Sequence, residues 1–451
     1  MSSNSNNVTK SNGNVVAIIA MFFMFAMISF VTNLAAPIGT IWGHHFAGNS
    51  FLGMLGNMMN FLAYLFMGIP AGNLLVKIGY KKTALWAMGI GIVGLFVQWL
   101  SGLGDSGIGM FVVYLIGAFI CGFCVCMLNT VVNPMLNLLG GGGNKGNQLI
   151  QTGGALNSLS GTLTPFFVGA LIGQLSSATT MVNVAPLLWI AMGVFAFAFV
   201  IISFVAIPEP NLAKKGQAKI KYEHSPWSFR HTVLGVVGIF IYVGIEIGIP
   251  GTLNFYLSDQ TENGAGVIGD ASTIAGAIVA VYWFLMLVGR TLSSAISGKV
   301  SSRTQLIAVS GMGILLVIAA ILTSKDTLIG VPGFIYSGAG GEIASVPLSA
   351  LFLVLCGLCT SVMWGGIFNL AVEGLGKYTA QASGIFMMMV VGGGIIPLVQ
   401  QLFAGSVGYM ASYWLIVACL GYLFIYGIWG CINVNKDIPV SLEEEMKEEL
   451  V

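Results

Sequence analysis

Charge is scarce in this sequence. Of 451 residues, 17 are Lys or Arg and 16 are Asp or Glu, 7% of the chain in all, against roughly a quarter in ordinary soluble domains. So few charges cannot build a water-facing shell, which excludes a soluble globular protein. There is no dense run of Lys and Arg, and the net charge is only +1. Nucleic acid is excluded as a partner, because its binding rests on clustered cations that neutralise phosphates. The seven cysteines (Cys121, Cys124, Cys126, Cys356, Cys359, Cys419 and Cys431) all fall inside apolar runs, so no disulfide framework is expected. Cys121-x-x-Cys124 and Cys356-x-x-Cys359 have the spacing of metal ligands, but no histidine lies near either, and both read as helix packing. The four histidines (His44, His45, His224 and His231) stand at the ends of apolar runs or between them. Neither G-x-S-x-G nor H-E-x-x-H occurs, so the sequence offers no nucleophile with its base and no metal site of a membrane-embedded enzyme. No cofactor or metal is expected, and no enzymatic activity.

What is abundant is apolar: 56% of the residues are hydrophobic, with 62 Gly, 28 Phe and 22 Met. A helix needs about 20 apolar residues to cross roughly 30 Å of hydrocarbon. Runs of that kind lie at 15–42, 51–76, 83–102, 108–139, 148–175 and 183–207, then at 232–258, 271–297, 304–323, 347–371, 380–405 and 411–434. The expected fold is therefore an all-α membrane protein of twelve transmembrane helices in two six-helix bundles, 15–207 and 232–434. Residues 1–14, rich in Ser and Asn, read as a disordered tail ahead of a retained helix rather than as a signal peptide. The segment 208–231 carries Lys214, Lys215, Lys219, Lys221 and Arg230 and reads as a linker; 435–451, with Glu443, Glu444 and Glu445, reads as an acidic tail.

Orientation follows from the basic residues, since loops rich in Lys and Arg stay cytoplasmic. With the N-terminus inside, every Lys and Arg except Arg290 and Lys325 falls on the cytoplasmic side, and both termini are cytoplasmic. The two halves also echo each other. Asn133 and Asn369 are 236 residues apart, as are Gly140 and Gly376; the Cys-x-x-Cys pairs are 235 apart, and Gly39-Thr40 precedes Gly251-Thr252 by 212. Together these matches favour an internal duplication, with a longer loop at about 324–346 in the second half.

In hydrocarbon a polar side chain costs free energy unless paired or wetted, so intramembrane polar residues mark helix contacts or a substrate path. Glu246 is the one acid near the middle of a run. It reads either as a partner of Arg290 or a protonated acid, or as a carboxylate facing a central cavity, where it would accept sugar hydroxyls or bind a coupling cation. Tyr242, one turn earlier, shares its face. Asn129 and Asn133 share a face of the fourth run, and their amides suit hydroxyl groups as well as interhelical bonds. Gln151 and Asn157 with Gln148 and Thr152 in the fifth run, Asn33 in the first, and Trp364 and Asn369 in the tenth complete the candidate substrate-binding set; Trp364 offers a face to a sugar ring or a packing contact. The glycines Gly365, Gly366, Gly392, Gly393 and Gly394 read as close-packing or bending points, and His44-His45 as a solvated helix end.

The stretch Gly72-Asn73-Leu74-Leu75-Val76-Lys77-Ile78-Gly79-Tyr80-Lys81-Lys82 resembles the G-x-L-x-x-[KR]-x-G-x-[KR]-[KR] loop of major facilitator transporters, with Val76 where the commonest form has an acid. Phe240-Ile241-Tyr242-Val243-Gly244-Ile245-Glu246, Gly289-Arg290, Asn129-Thr130-Val131-Val132-Asn133-Pro134, and Ala382-Ser383-Gly384 leading to Gly392-Gly393-Gly394 are similar to the fucose permease-like branch, the fucose/galactose/glucose:proton symporter family. The resemblance spans about residues 15–434. It implies twelve helices, a central sugar site and alternating access by rocking of the halves, with Gly72, Gly79, Lys81, Gly289 and Arg290 in gating or structural roles. The fucose permease pattern has an Asp in helix one and a Glu in helix four; here Ala36 and Asn129 stand there, which leaves Glu246 for coupling to a proton or sodium, or else no coupling. The expectation is import of a monosaccharide, a hexose, across a bacterial inner membrane by a monomer. A passive uniporter, an exporter of amphipathic compounds and a non-transporting sensor are the alternatives.

Overall fold

The computed structural model describes residues 3–46, 50–104, 107–172, 179–209, 224–259, 262–268, 271–332 and 343–440. These are helical apart from short connections and one hairpin. The first half holds α1 (Ser3–His45), α2 (Ser50–Leu100), α3 (Ile108–Leu139), α4 (Gly143–Ile172) and α5 (Met181–Phe204). The second half holds α6 (Arg230–Ser258), α7 (Ala271–Ile296), α8 (Ser302–Leu322), α9 (Leu348–Val372), α10 (Thr379–Met389), α11 (Gly392–Val407) and α12 (Tyr409–Ile425). Ten helical spans among the described residues are long and apolar enough to cross a membrane. Helices are what lipid permits, because each backbone N–H and C=O must find its partner inside the segment.

α5 illustrates how the sequence sorts itself. It buries Leu187, Leu188, Ala191, Phe195, Ala198 and Ile202, spaced by three and four, and leaves Phe197 and Phe204 outside, at 61% and 85% exposure. One stripe thus packs against the bundle while the other, equally apolar, is suited to acyl chains. The largest buried side chains fill each bundle separately: Trp42, Tyr114 and Phe195 in the first, Tyr242, Tyr282, Phe368 and Tyr413 in the second.

Several boundaries differ from the sequence reading. α1 continues back to Ser3, so the segment read as a disordered tail is, from Ser3 on, a helical extension; once a helix is nucleated, each further residue adds a hydrogen bond. The runs at 51–76 and 83–102 are joined through a single residue, Gly79, with φ +83° and ψ 174°. A positive φ suits glycine, so the reversal needs no polar loop. The run at 380–405 is broken into α10 and α11 just before Gly392, where a Cβ would stand 2.0 Å from the Phe240 carbonyl oxygen. The long loop of the second half contains an antiparallel hairpin, β1 (Leu328–Pro332) on β2 (Ile343–Pro347). The run at 411–434 ends in a π-turn, Tyr426–Gly430, whose freed Gly427 and Ile428 carbonyls accept from Arg303. The linker lysines 214–221 and the acidic tail 443–449 lie outside the described residues.

Candidate functional site

The site is built where α6, α7, α9, α3 and α4 converge between the halves. Glu246 Oε1 accepts from Arg290 Nη2 at 3.1 Å, the one salt bridge among the described residues, and the two side chains are only 15% and 10% exposed. Glu246 and Arg290 are thus paired, and the pair lies at the junction of the halves. Arg290 Nη1 reaches across to α4, donating to the Gly154 carbonyl at 3.1 Å and to Ser158 Oγ at 2.7 Å. Its Nε points to the Ser361 carbonyl of α9 at 3.4 Å. Gly289 allows this approach, since a Cβ there would fall 2.1 Å from Ser361 Oγ. A carboxylate and a guanidinium so far from bulk water hold each other, and removing either alone leaves a buried charge at a cost of about 3–5 kcal/mol.

Two prolines shape the surroundings. A proline has no N–H, so the carbonyl four residues earlier loses its helical partner. Pro250 in α6 frees the carbonyl of Glu246, which accepts from Tyr282 Oη at 3.3 Å. Pro134 in α3 frees the carbonyl of Thr130, which accepts from Ser383 Oγ of α10, in the other half, at 3.2 Å.

Tyr242 lies fully buried beside the Glu246–Arg290 pair, with its ring 6.1 Å from that of Trp364. Trp364 in turn donates through Nε1 to Asn133 Oδ1 at 2.9 Å, across the interface. Asn133 Nδ2 bonds the Asn129 carbonyl, and Asn129 Nδ2 donates to Tyr64 Oη at 3.0 Å. Glu246, Arg290, Tyr242, Trp364, Asn133 and Asn129 therefore form one cluster of carboxylate, cation, aromatic faces and amides. Asn33 and Asn157 stand apart: Asn33 is exposed and bonds Ser29 in its own helix, and Asn157 ties α4 to the Phe25 carbonyl of α1.

The remaining amides close one end of the interface. Gln151 Nε2 donates to the Val362 carbonyl at 2.9 Å, Asn147 Nδ2 to Ser297 Oγ at 3.0 Å, and Thr152 shares a hydrogen bond with Ser294. Asn369 accepts from Asn137 Nδ2 and donates to Ser302 Oγ, both at 2.9 Å. Beside them α2 and α10 touch backbone to backbone: a Cβ on Gly68 would meet Met388 N at 2.4 Å, and one on Gly72 would lie 3.0 Å from Gly384 Cα. All of these contacts lie toward the end that carries Lys77, Lys81, Lys145, Lys299, Arg303 and Lys377. At the same end, Glu209 accepts from the backbone N–H groups of Tyr80 and Lys81, at 2.8 and 2.9 Å, just past the Gly79 break. Lys81 Nζ returns to cap the C-terminus of α5 through the Ser203 and Val205 carbonyls, a favourable place for a cation.

The sequence reading passed over Asn137, Ser158, Tyr64 and Glu209, and noted Ser383 only as part of the Ala382-Ser383-Gly384 stretch. Asn137 was legible, since it continues the four-residue spacing of Asn129 and Asn133. Ser158 carries no signal in a helix rich in small residues, and only the structure shows that it meets Arg290, as Ser383 meets the Thr130 carbonyl. Asn369 and Gln151, also expected among sugar-binding groups, bond Asn137, Ser302 and the Val362 carbonyl.

Comparison with known proteins accords with this geometry. Residues 17–397 match the family model of the Major Facilitator Superfamily. The chain is similar to the glucose/galactose transporter of Brucella abortus biovar 1 (strain 9-941), 29% identical over 415 residues that cover 91% of this chain and 92% of that protein. It is 22% identical to the L-fucose-proton symporter of Escherichia coli (strain K12), covering 90% of each. In fold it resembles the crystal structure of FucP in the outward conformation, with a TM-score of 0.75 at 18% identity over 92% of this chain and 99% of that one. These relatives fall in the branch that the motifs in α3, α6, α7 and α10 resemble, and with a family model spanning most of its length the chain belongs to the Major Facilitator Superfamily, a family of transporters rather than enzymes.

Proposed function

We propose that this protein imports a hexose, glucose or galactose in the first place, by proton-coupled alternating access. The carrying observation is the cluster at the junction of the halves, where Glu246, Tyr242, Trp364, Asn133 and Asn129 combine groups that donate to and accept from hydroxyls with an aromatic face for a sugar ring. The names of the relatives, glucose/galactose transporter and L-fucose-proton symporter, support the substrate class. Twelve crossings fit the elements: α2 is about 75 Å long at 1.5 Å per residue, enough for two passes about Gly79, α4 is a further 30-residue helix, and α10 with α11 makes one span. With the basic end cytoplasmic, both termini are inside and the closed end of the interface faces the cytoplasm, so this is an outward-facing state of an inner-membrane protein acting as a monomer.

A proton is favoured over sodium as the coupling ion. The Arg290 guanidinium occupies one carboxylate oxygen of Glu246 and would repel a second cation. Uptake of labelled glucose, galactose and fucose into proteoliposomes, with an imposed proton or sodium gradient, tests the reading. Accumulation above equilibrium driven by the proton gradient is expected, with Glu246→Gln losing accumulation and keeping exchange. Failure of every sugar to enter would overturn the reading. A passive uniporter is the second reading, favoured by the prior engagement of Glu246 with Arg290; it predicts entry without accumulation.

A further inference from the structure

The contact between α2 and α3 carries polar groups that the cluster around Glu246 does not use. Tyr114 of α3 is 1% exposed and Asn60 of α2 is 8% exposed, yet Tyr114 Oη and Asn60 Oδ1 meet no hydrogen-bond partner among the described residues. Leaving such groups dry is costly. The two lie about one turn of α2 apart. A Cβ on Gly56 would collide with the Tyr114 hydroxyl, which therefore rests on α2 at that turn, and Asn60 follows one turn later on the same face. α3 stays against α2 there, since a Cβ on Gly122 would fall 2.7 Å from the Asn60 carbonyl oxygen. Beside them is a cavity of about 10 Å³, lined by Asn60, Gln98, Tyr114 and Cys121 together with apolar side chains that include Leu34 and Leu95. Two unpaired polar atoms and a polar-walled space thus coincide.

We propose that this cavity is a binding site for a single water molecule, which joins α2 to α3 through Asn60 Oδ1 and Tyr114 Oη. The space holds one water and nothing larger. Tyr114 Oη donates to the water oxygen, and the water donates one hydrogen to Asn60 Oδ1. Gln98 supplies the third partner: its Nε2 is committed to Cys121 Sγ at 3.2 Å, which leaves Oε1 to accept the second hydrogen. Three partners are the usual complement of a buried water. A bare cation is a poor occupant, because the amides, the phenol and the thiol are neutral and no carboxylate is among the described lining residues. The site has a definite place in the fold. Asn60 stands one turn from Tyr64, whose hydroxyl accepts from Asn129, on the side away from Lys77. The water extends that polar seam along the two helices and supplies a bond that Asn60 and Tyr114 do not make to each other directly. Its occupancy does not depend on which solute the protein carries.

The test is radiolytic labelling of the purified full-length protein without sugar, read by mass spectrometry, since hydroxyl radicals formed from a bound water oxidise the side chains beside it. Tyr114 is expected to be oxidised several-fold faster than Tyr413, which is equally buried but donates directly to the Ile249 carbonyl. Asn60→Leu, which removes the acceptor and fills the space, should bring Tyr114 down to the rate of Tyr413. A double-mutant cycle in melting temperature gives a second readout. Tyr114→Phe alone should lower the melting temperature, because the water loses its donor. Asn60→Leu alone should lower it as well, because expulsion of the water strands the Tyr114 hydroxyl. In the Asn60→Leu background, Tyr114→Phe should instead leave the temperature unchanged or raise it, since no stranded hydroxyl remains. Labelling of Tyr114 no faster than that of Tyr413 would overturn the site, and so would melting shifts that simply add. The first comparison uses the parent protein alone, so it decides even where a variant does not fold. Because no sugar is present, failure of the transport reading leaves both outcomes untouched.

Discussion

Gly384→Ala should unlock the cytoplasmic end of the interface. A Cβ at 384 would stand 2.6 Å from the Gly68 carbonyl oxygen, 2.8 Å from Gly72 Cα and 2.9 Å from Gly72 N. All three are backbone atoms of α2, so no side chain can rotate away, and ordinary contact requires the helices to separate by several tenths of an ångström. Overpacking of this kind costs about 1–3 kcal/mol. Here α2 and α10 belong to different halves, so the strain is relieved by opening rather than by unfolding, and the penalty falls on the closed state. At about 2 kcal/mol, the open-to-closed ratio rises roughly thirtyfold. Spin labels at Lys145 and Lys299, exposed residues near the ends of α4 and α7, read this as a long-distance population, and affinity for sugar offered from outside should fall with it. Two controls calibrate the effect. A Cβ added at Gly89 would find no atom within 4 Å, and one at Gly248 would meet chiefly the end of the flexible Gln400 side chain, at 2.7 Å, within one half. Alanine at either should leave the distribution alone. An unmoved distribution in Gly384→Ala, or an equal shift in Gly248→Ala, would refute the reasoning.

Trp364→Phe keeps an aromatic face but removes the Nε1 donor to Asn133; sugar binding should weaken by about 1 kcal/mol, a neutral hydrogen bond's worth, measured by titration of the purified protein, and an unchanged affinity would remove that bond from the site. Asn369→Ala deprives both Asn137 and Ser302 of their partner and should shift the label distances toward open, by about 1–3 kcal/mol for the unsatisfied groups left behind. Lys81→Ala removes the cap on two carbonyls at the end of α5; the melting temperature should drop, with a loss of about 1–2 kcal/mol, while the label distances stay as in the parent.

Much of this architecture is written in composition and spacing. Scarce charge and apolar runs near 20 residues specify membrane helices, because lipid leaves the backbone no other partner than itself. The isolated acid at 246 and the arginine at 290 stand out for the same reason: hydrocarbon tolerates such groups only in company. Pro134 and Pro250 could also be read in advance as carbonyls set free at Thr130 and Glu246, though not what would come to meet them. What local sequence could not give was the reduction of a loop to Gly79 alone, since that depends on Glu209 arriving from beyond α5 to receive the exposed N–H groups. Nor could it sort the amides. Asn133 and Asn369 are the same residue type at duplicated positions, yet one bonds Trp364 beside the carboxylate and the other Asn137 and Ser302 in the closed end. An amide is chemically complete in either role, and its neighbour in the opposite half selects which. By itself, then, the sequence determined the solvent, the helices and the residues too polar to be idle. Only the packing of one bundle against the other decided which of them meet and which stand apart, because hydrogen bonds act over about 3 Å and those neighbours are more than a hundred residues away along the chain.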